Sequence, residues 1–431
     1  MKVFSVLWFS QLVSIVGSGL TSFALGVWVY QQTRSATQFA LITLFLILPG
    51  VLLSPLAGAL ADRWSRKRLI ILGDVGSALS TLAIALLVYS HRLEVWHIYL
   101  ATALSSVCGA FQWPAFAASI PMLVPKEKLG RANGMVQVAE AAGLVVSPLL
   151  AGVLVVTMGL WGVILIDFAT FLFAVVTVLL LPIPNPAPVE HEAAQTSLRR
   201  DIAESWSYLR TRSGLLTLFA LFASFNFIVG MAGILVQPLI LSFASAAVLG
   251  TLVSIGGSGL LLGGLVMGVW GGPKHRVLGI LLFMLIGGVL LCLHGIAPSS
   301  ILIGLVAPAF LFTWPIINGS SYSILQTKVS PEMQGRVFAL SHMITQSSRP
   351  VAALIAGPLA DRVFEPLLAP GGALSGSIGR TIGTGPGRGI ALLFIVLGVL
   401  EILTAMWGYL HPHLRHLETE LPDVVPEPEP A

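Results

Sequence analysis

The stretch Gly58-Ala59-Leu60-Ala61-Asp62-Arg63-Trp64-Ser65-Arg66-Lys67-Arg68 joins two apolar runs, 37–61 and 69–89. Each run has about the 20 residues that a helix needs to cross ~30 Å of hydrocarbon. A short turn carrying Arg63, Arg66, Lys67 and Arg68 between two such runs reads as a cytoplasmic loop, because Lys and Arg collect on that side. A merely topogenic loop accounts for the arginines but not for Gly58 and Asp62 four residues apart. Gly58 allows close helix approach. Asp62 can accept hydrogen bonds from a neighbouring helix N-terminus, where a carboxylate is favoured by about 0.3–1 kcal/mol. The basic residues can bridge to acidic groups or to lipid phosphates.

Outward from this loop the apolar runs recur: 4–31, 37–61, 69–89, 97–121, 133–157, 160–182, 214–242, 246–271, 277–294, 300–325, 337–361 and 389–411. These twelve predict an all-α polytopic membrane protein. Barrel strands would instead alternate in short segments. Hydrophobic residues make up 56% of the 431 and charged ones 10%, with a mean hydropathy of +0.91. A soluble domain needs about 25% charge to cover its surface. The first run is too long for a signal-peptide core and reads as the first span. With the N-terminus inside, 17 Lys/Arg fall on the cytoplasmic side and five outside, with Arg349 within a span. Both termini are therefore expected in the cytoplasm, the chain in a plasma (bacterial inner) membrane, and the +4 charge is read as topogenic, with no nucleic-acid partner. Cys108 and Cys292 lie in apolar runs and suggest neither disulfide nor metal site.

The chain reads as two halves. Trp113-Pro114 recurs as Trp314-Pro315; Gly130-Arg131 and Gly152 recur as Gly335-Arg336 and Gly357; Gly58 and Arg66 recur as Gly268 and Arg276. Duplicated bundles that rock about a central site are a transporter architecture. The expected domains are a six-helix bundle over 1–182, a linker over 183–213, a second bundle over 214–412 and a disordered cytoplasmic tail over 413–431. The linker opens on a Pro-rich segment and continues as an amphipathic helix suited to the membrane interface. The acidic, Pro-rich tail has a disordered composition.

The 58–68 loop resembles the signature loop of the major facilitator superfamily, Gly-x-x-x-Asp-Arg/Lys-x-Gly-Arg-Lys/Arg, with Ser65 at the second glycine. The resemblance implies two pseudo-symmetric six-helix bundles and a gating role for Gly58, Asp62, Arg63, Arg66 and Lys67, closing the cytoplasmic side. In the second copy Gly272 stands at the aspartate position. Gly134, Gly143, Ser147, Pro148 and Gly152 are similar to the family's antiporter motif in span five, with small residues replacing two glycines. Small residues permit close packing and proline bends the helix. Residues 120–133, Asp167-Phe168-Ala169-Thr170-Phe171, and 357–389 are similar to the macrolide- and siderophore-exporter (enterobactin-type) branch of the drug:proton antiporters. Span four lacks the arginine that many proton-coupled exporters carry there.

An Asp or Arg at a helix centre costs about 2.5–3.5 kcal/mol, which makes each a functional candidate. Glu140, Asp167, Arg349 and Glu401 are the proton-coupling candidates, with Arg349 and Glu401 at similar depth and expected to pair. In the family, spans 1, 4, 7 and 10 line the central cavity; here they carry no charge but offer Gln11, Ser14, Gln112, Trp113, Asn226, Trp314, Asn318 and Tyr322. Aromatics and neutral amides suit an amphiphilic solute and a phosphate poorly. The Gly-rich 371–389 segment lacks the context of a nucleotide cradle and reads as a flexible or re-entrant outer cap. The expectation is a monomeric exporter of amphiphilic or hydrophobic small molecules (drug, macrolide-like, siderophore or peptide natural product), working by alternating access in exchange for protons among membrane lipids, with no cofactor and no enzymatic activity. An importer of the same fold and a lipid-handling protein are the alternatives.

Overall fold

The computed structural model describes residues 1–182, 207 and 212–423; within these, the side chains of 54–63, 127, 331, 332, 335, 336, 339, 342 and 344–346 are not described. The fold is built from helices α1 (Lys2–Thr33), α2 (Ala36–Arg63), α3 (Arg66–Tyr89), α4 (Val95–Leu123), α5 (Leu129–Leu180), α6 (Ser213–Leu241), α7 (Ala246–Trp270), α8 (Arg276–Ile296), α9 (Ser300–Lys328), α10 (Pro331–Leu359) and α11 (Arg388–Leu410). The 52-residue α5 is two crossings, broken at Gly159, whose φ of 69° leaves the helical region. Only a residue without a Cβ adopts that conformation cheaply. Helix is thus present across all twelve expected runs, in eleven helical elements. Among the described residues nine of these elements are long and apolar enough, by length and composition, to cross a membrane. Large apolar side chains such as Leu52, Val269 and Leu305 are exposed, as a lipid-facing surface requires.

Contacts divide the chain into two compact units, Met1–Glu190 with Ile240–Ser254, and His191–Leu239 with Ile255–Ala431. In the first unit α1 packs on α5, and α4 on both α2 and α3. Apolar clusters close its two ends: Phe4, Ile70, Phe116 and Val136 at one, Val29, Ile84, Ile98 and Ile164 at the other. In the second unit α8 packs on α9 and α11. There Gly288 and Gly398 let α8 and α11 cross backbone to backbone, and a Cβ on Gly288 would lie 2.7 Å from the Gly398 carbonyl oxygen.

Two segments differ from expectation. Residues 413–423, expected to be disordered, carry helical turns Pro412–Arg415 and Leu417–Glu420, because Leu414 and Leu417 are fully buried. The Gly-rich segment, expected to be a flexible or re-entrant cap, is packed: Leu368, Ile382 and Leu392 form its core, and Glu365 accepts from the Gly387 and Ile390 N–H groups at the start of α11 (3.2 and 3.0 Å). The interfacial helix expected over 183–213 lies, apart from Ser207 and residues 212–213, outside the described residues.

Candidate functional site

Between the two apolar ends of the first unit lies a cavity of about 400 Å³, lined by α1 to α5. Its wall combines apolar groups (Ile15, Leu46, Phe116, Phe171) with the hydroxyls of Ser14, Ser18, Ser77 and Thr81 and the amides of Gln11 and Gln112. Trp113, expected at such a cavity, lines it too and is 46% exposed. Behind the amides sits Asp74, fully buried on α3. Gln112 Nε2 donates to Asp74 Oδ1 at 2.5 Å, and Gln11 Nε2 to Oδ2 at 3.3 Å. Gln112 also donates to Gln11 Oε1 at 3.2 Å, which closes a three-residue ring across α1, α3 and α4. Sequence reasoning missed Asp74. It stands six residues past Arg68, so it reads as the frayed edge of a charged loop instead of a carboxylate inside a span.

Asp167, a sequence candidate, faces the same cavity and is 1% exposed. The hydroxyls of Thr21, Thr81, Ser18 and Thr170 surround it. Thr81 Oγ1 donates to Oδ2 at 3.5 Å, while Thr170 Oγ1 donates to the Asp167 backbone carbonyl at 2.7 Å. Asp167 Oδ1 and Thr21 Oγ1 are buried with no hydrogen-bond partner among the described residues. Gly17 makes room for this group: a Cβ there would strike Thr170 Oγ1 and come within 2.9 Å of Asp167 Oδ1. The cavity of the first unit is therefore not uncharged, as the four-span reading expected. Spans three and six also reach it, and each brings an acid.

The motifs of the first unit serve its ends and its seams. Arg66 Nη1 donates to the Ala118 carbonyl at 2.6 Å near the end of α4. Lys67 Nζ donates to the Leu179 and Leu181 carbonyls, both at 2.8 Å, at the end of α5. Both cations complement the negative end of a helix dipole, and Lys67 also satisfies terminal carbonyls. The side chains of Gly58, Asp62 and Arg63 lie outside the described residues. Ser147 Oγ donates to the Val16 carbonyl of α1 at 3.1 Å, and a Cβ on Gly143 would lie 2.8 Å from Ile15. On its other side α5 meets the start of α7: a Cβ on Gly152 would lie 2.8 Å from the Ala246 carbonyl oxygen, and Ser254 Oγ donates to the Val145 carbonyl at 2.6 Å. A Cβ on Gly134 would meet nothing within 4 Å. Pro148 lies inside α5, between the two contacts.

The model of the Major Facilitator Superfamily matches residues 7–353. The chain belongs to that superfamily. Macrolide efflux protein A of Streptococcus pyogenes is 28% identical over 368 residues, covering 84% of this chain and 90% of that protein. The multidrug efflux pump Tap of Mycobacterium tuberculosis is 23% identical over 369 residues, covering 82% and 86%. The crystal structure of the nucleoside transporter NupG aligns with a TM-score of 0.73 at 14% identity, over 95% of this chain and all of that one, and speaks to fold alone. The chain is thus an integral membrane transporter of this superfamily, and the two efflux proteins are relatives it is similar to.

Within this superfamily fold the remaining candidates separate. Glu401 is fully buried in the second unit, and neither carboxylate oxygen has a hydrogen-bond partner among the described residues. It faces α8, where a Cβ on Gly287 would lie 2.8 Å from its Oε1. Arg349 is exposed. The expected pair between them does not form, because Glu401 turns toward α8 and not toward α10. Glu140 is exposed on α5. Asn226 and Asn318 spend their amides on carbonyls of their own helices, Phe222 at 2.8 Å and Trp314 at 3.0 Å. Trp314 packs against the apolar cluster of its unit, and Tyr322 stacks on Phe338. Of the expected cavity residues, the structure brings Gln11, Ser14, Gln112 and Trp113 together.

Proposed function

We propose that the protein exports amphiphilic or hydrophobic small molecules by alternating access, in exchange for protons. One observation carries this reading: a largely apolar cavity of about 400 Å³ that faces buried Asp167 and has the Asp74–Gln11–Gln112 ring set into its wall. A mostly apolar wall with a few placed polar groups suits an amphiphile. Taking an ionised carboxylate out of water costs several kcal/mol. Alternately wetting and drying such a cavity is therefore a means of loading and unloading a proton. The relatives named for macrolide efflux and multidrug efflux support the direction of transport. The span-five motif supports it too, since Gly143, Gly152 and Ser147 set the close packing of α5 on α1 and on the start of α7. The Lys/Arg bias supports a plasma membrane location with both termini in the cytoplasm.

The testing experiment measures efflux of a panel of amphiphilic fluorescent compounds from cells expressing the chain, with and without a proton uncoupler. Uncoupler-sensitive outward transport is expected. Uncoupler-insensitive or inward-only transport overturns the proposal.

A further inference from the structure

One end of the second unit is tied together by the chain's own C-terminal segment. Past α11 the chain turns at His411, and Leu414 and Leu417 enter the cluster of Leu215, Val277, Leu281 and Ala405. This delivers Glu418 to the start of α8. Its Oε1 accepts from the Arg276 N–H at 3.0 Å and its Oε2 from the Val277 N–H at 3.3 Å. The residue at the N-cap position, His275, makes no side-chain bond there. At the other side Lys328, the last residue of α9 and only 7% exposed, donates to the Glu418 and Leu421 carbonyls, both at 2.6 Å, and pairs with Asp423 at 2.9 Å. A carboxylate on the positive end of α8 and a lysine at the negative end of α9 are the favourable placements for both helix dipoles. The segment spans the two.

Comparison with the first half shows what this strap replaces. Arg276 repeats the contact of Arg66: its Nη1 reaches Ser323 O and Thr327 Oγ1 (3.4 and 3.3 Å) near the end of α9, as Arg66 reaches Ala118 near the end of α4. The basic member of the signature loop is therefore kept in the second copy. The acidic member is not, since Gly272 stands where the first copy has Asp62. We propose that residues 411–423 form a latch in which Glu418 supplies, from the C-terminal segment, the carboxylate that the second signature loop lacks, and that its release accompanies opening of this end of the unit during transport. The latch itself stands on the contacts above; only its role in turnover rests on the transport reading.

Accessibility tests the latch without any transported compound. Val277, 1% exposed, is replaced by cysteine in a chain carrying Cys108→Ser and Cys292→Ser. Labelling by a membrane-impermeant maleimide is then timed in inverted vesicles. Loss of a charge-assisted bond is expected to raise the open population, and so the labelling rate, about tenfold in Glu418→Gln. Lys328→Met acts in the same direction, and Glu418→Asp keeps a carboxylate and returns the rate toward the parent. Glu420→Gln, two residues away on an exposed residue that pairs with His413, leaves the rate unchanged. Parental labelling in both Glu418→Gln and Lys328→Met overturns the latch. Faster labelling with unaltered turnover of an exported compound overturns its role in gating. Absence of any export leaves the labelling result intact and counts against the transport reading alone.

Discussion

Replacing Asp74 tells apart a carboxylate that carries a proton from one that only holds three helices together. Asp74→Asn is close to isosteric. Its carbonyl oxygen can accept from Gln112, and its amide can donate to Gln11 Oε1, so the ring across α1, α3 and α4 survives in neutral form. Asp74→Leu deletes both bonds to the ring. Interhelical hydrogen bonds in membrane bundles are worth about 0.6 kcal/mol on average and up to about 1.7. The short Gln112 contact belongs at the upper end and the 3.3 Å Gln11 contact near the mean, so Asp74→Leu should cost about 2 kcal/mol. That is roughly a thirtyfold change in the folded-to-unfolded ratio. Asp74→Asn should stay within about 1 kcal/mol of the parent. Thermal unfolding of the purified protein in detergent reads this difference. Efflux of a fluorescent amphiphile from vesicles, driven by an imposed pH gradient, reads the other half. Asp74→Asn should lose at least about tenfold of pH-driven rate, a change of 1.4 kcal/mol or more, while exchange without a gradient persists. Parental pH-driven transport by a normally folded Asp74→Asn would refute a proton role for this residue.

Gly17→Ala should lower stability by about 1–3 kcal/mol through overpacking and should reduce pH-driven efflux with it, since the new methyl displaces Thr170 and Asp167; thermal unfolding and vesicle transport check both. Glu401→Met should raise the melting temperature in detergent, because it replaces a buried carboxyl that has no hydrogen-bond partner among the described residues by an apolar side chain of similar length; a fall of more than a few degrees contradicts this. Outside the membrane-spanning segments, burial pushes the Glu365 carboxyl above its ordinary value of 4.5 despite the Ile390 and Gly387 N–H groups. The folded state then holds this proton more tightly than the unfolded state. The contribution is fully present below about pH 4.5 and is lost as pH rises through the raised value. Glu365→Gln should flatten that part of the stability profile, measured by thermal unfolding between pH 4 and about pH 8; an unchanged slope assigns it to another group.

The architecture was legible because lipid imposes a length on every span and the chain repeats that length twelve times. Gly159 was legible only as a boundary between two runs, and the structure turns it into a break within one continuous helix. The cavity was half legible. Gln11, Gln112 and Trp113 could be placed on lining helices through the family resemblance, and Asp167 stood out as a charge inside a run. Asp74 did not, because its role depends on two amides that lie 63 and 38 residues away and reach it only after α1 and α4 have packed. The Arg349–Glu401 pairing failed for the converse reason. Depth along consecutive helices can be counted from sequence, but the face each residue takes is set by packing, here by Gly287 opening α8 to Glu401. The latch was hidden by composition. A Pro-rich, acidic end reads as disordered, and two leucines spaced three apart outweigh that by burying completely.

The two halves thus keep the same electrostatic needs and meet them with different residues. Both need a cation at the end of the fourth helix of their bundle, and Arg66 and Arg276 supply it from equivalent positions. A carboxylate at the second loop comes from 142 residues further along the chain. Duplication fixes where orphan helix termini fall, because every copy of the fold leaves four unpaired N–H groups at each helix start. It does not fix which residue answers them. The buried acids diverge more sharply: Asp74 and Asp167 sit beside polar groups around a cavity, whereas Glu401 lies in a seam where no described residue donates to it. A site that must take up and release a proton needs a path to water, and the cavity beside Asp167 offers one. In the proposed exchange the coupling chemistry is therefore assigned to the first unit, and the proposed latch to the second.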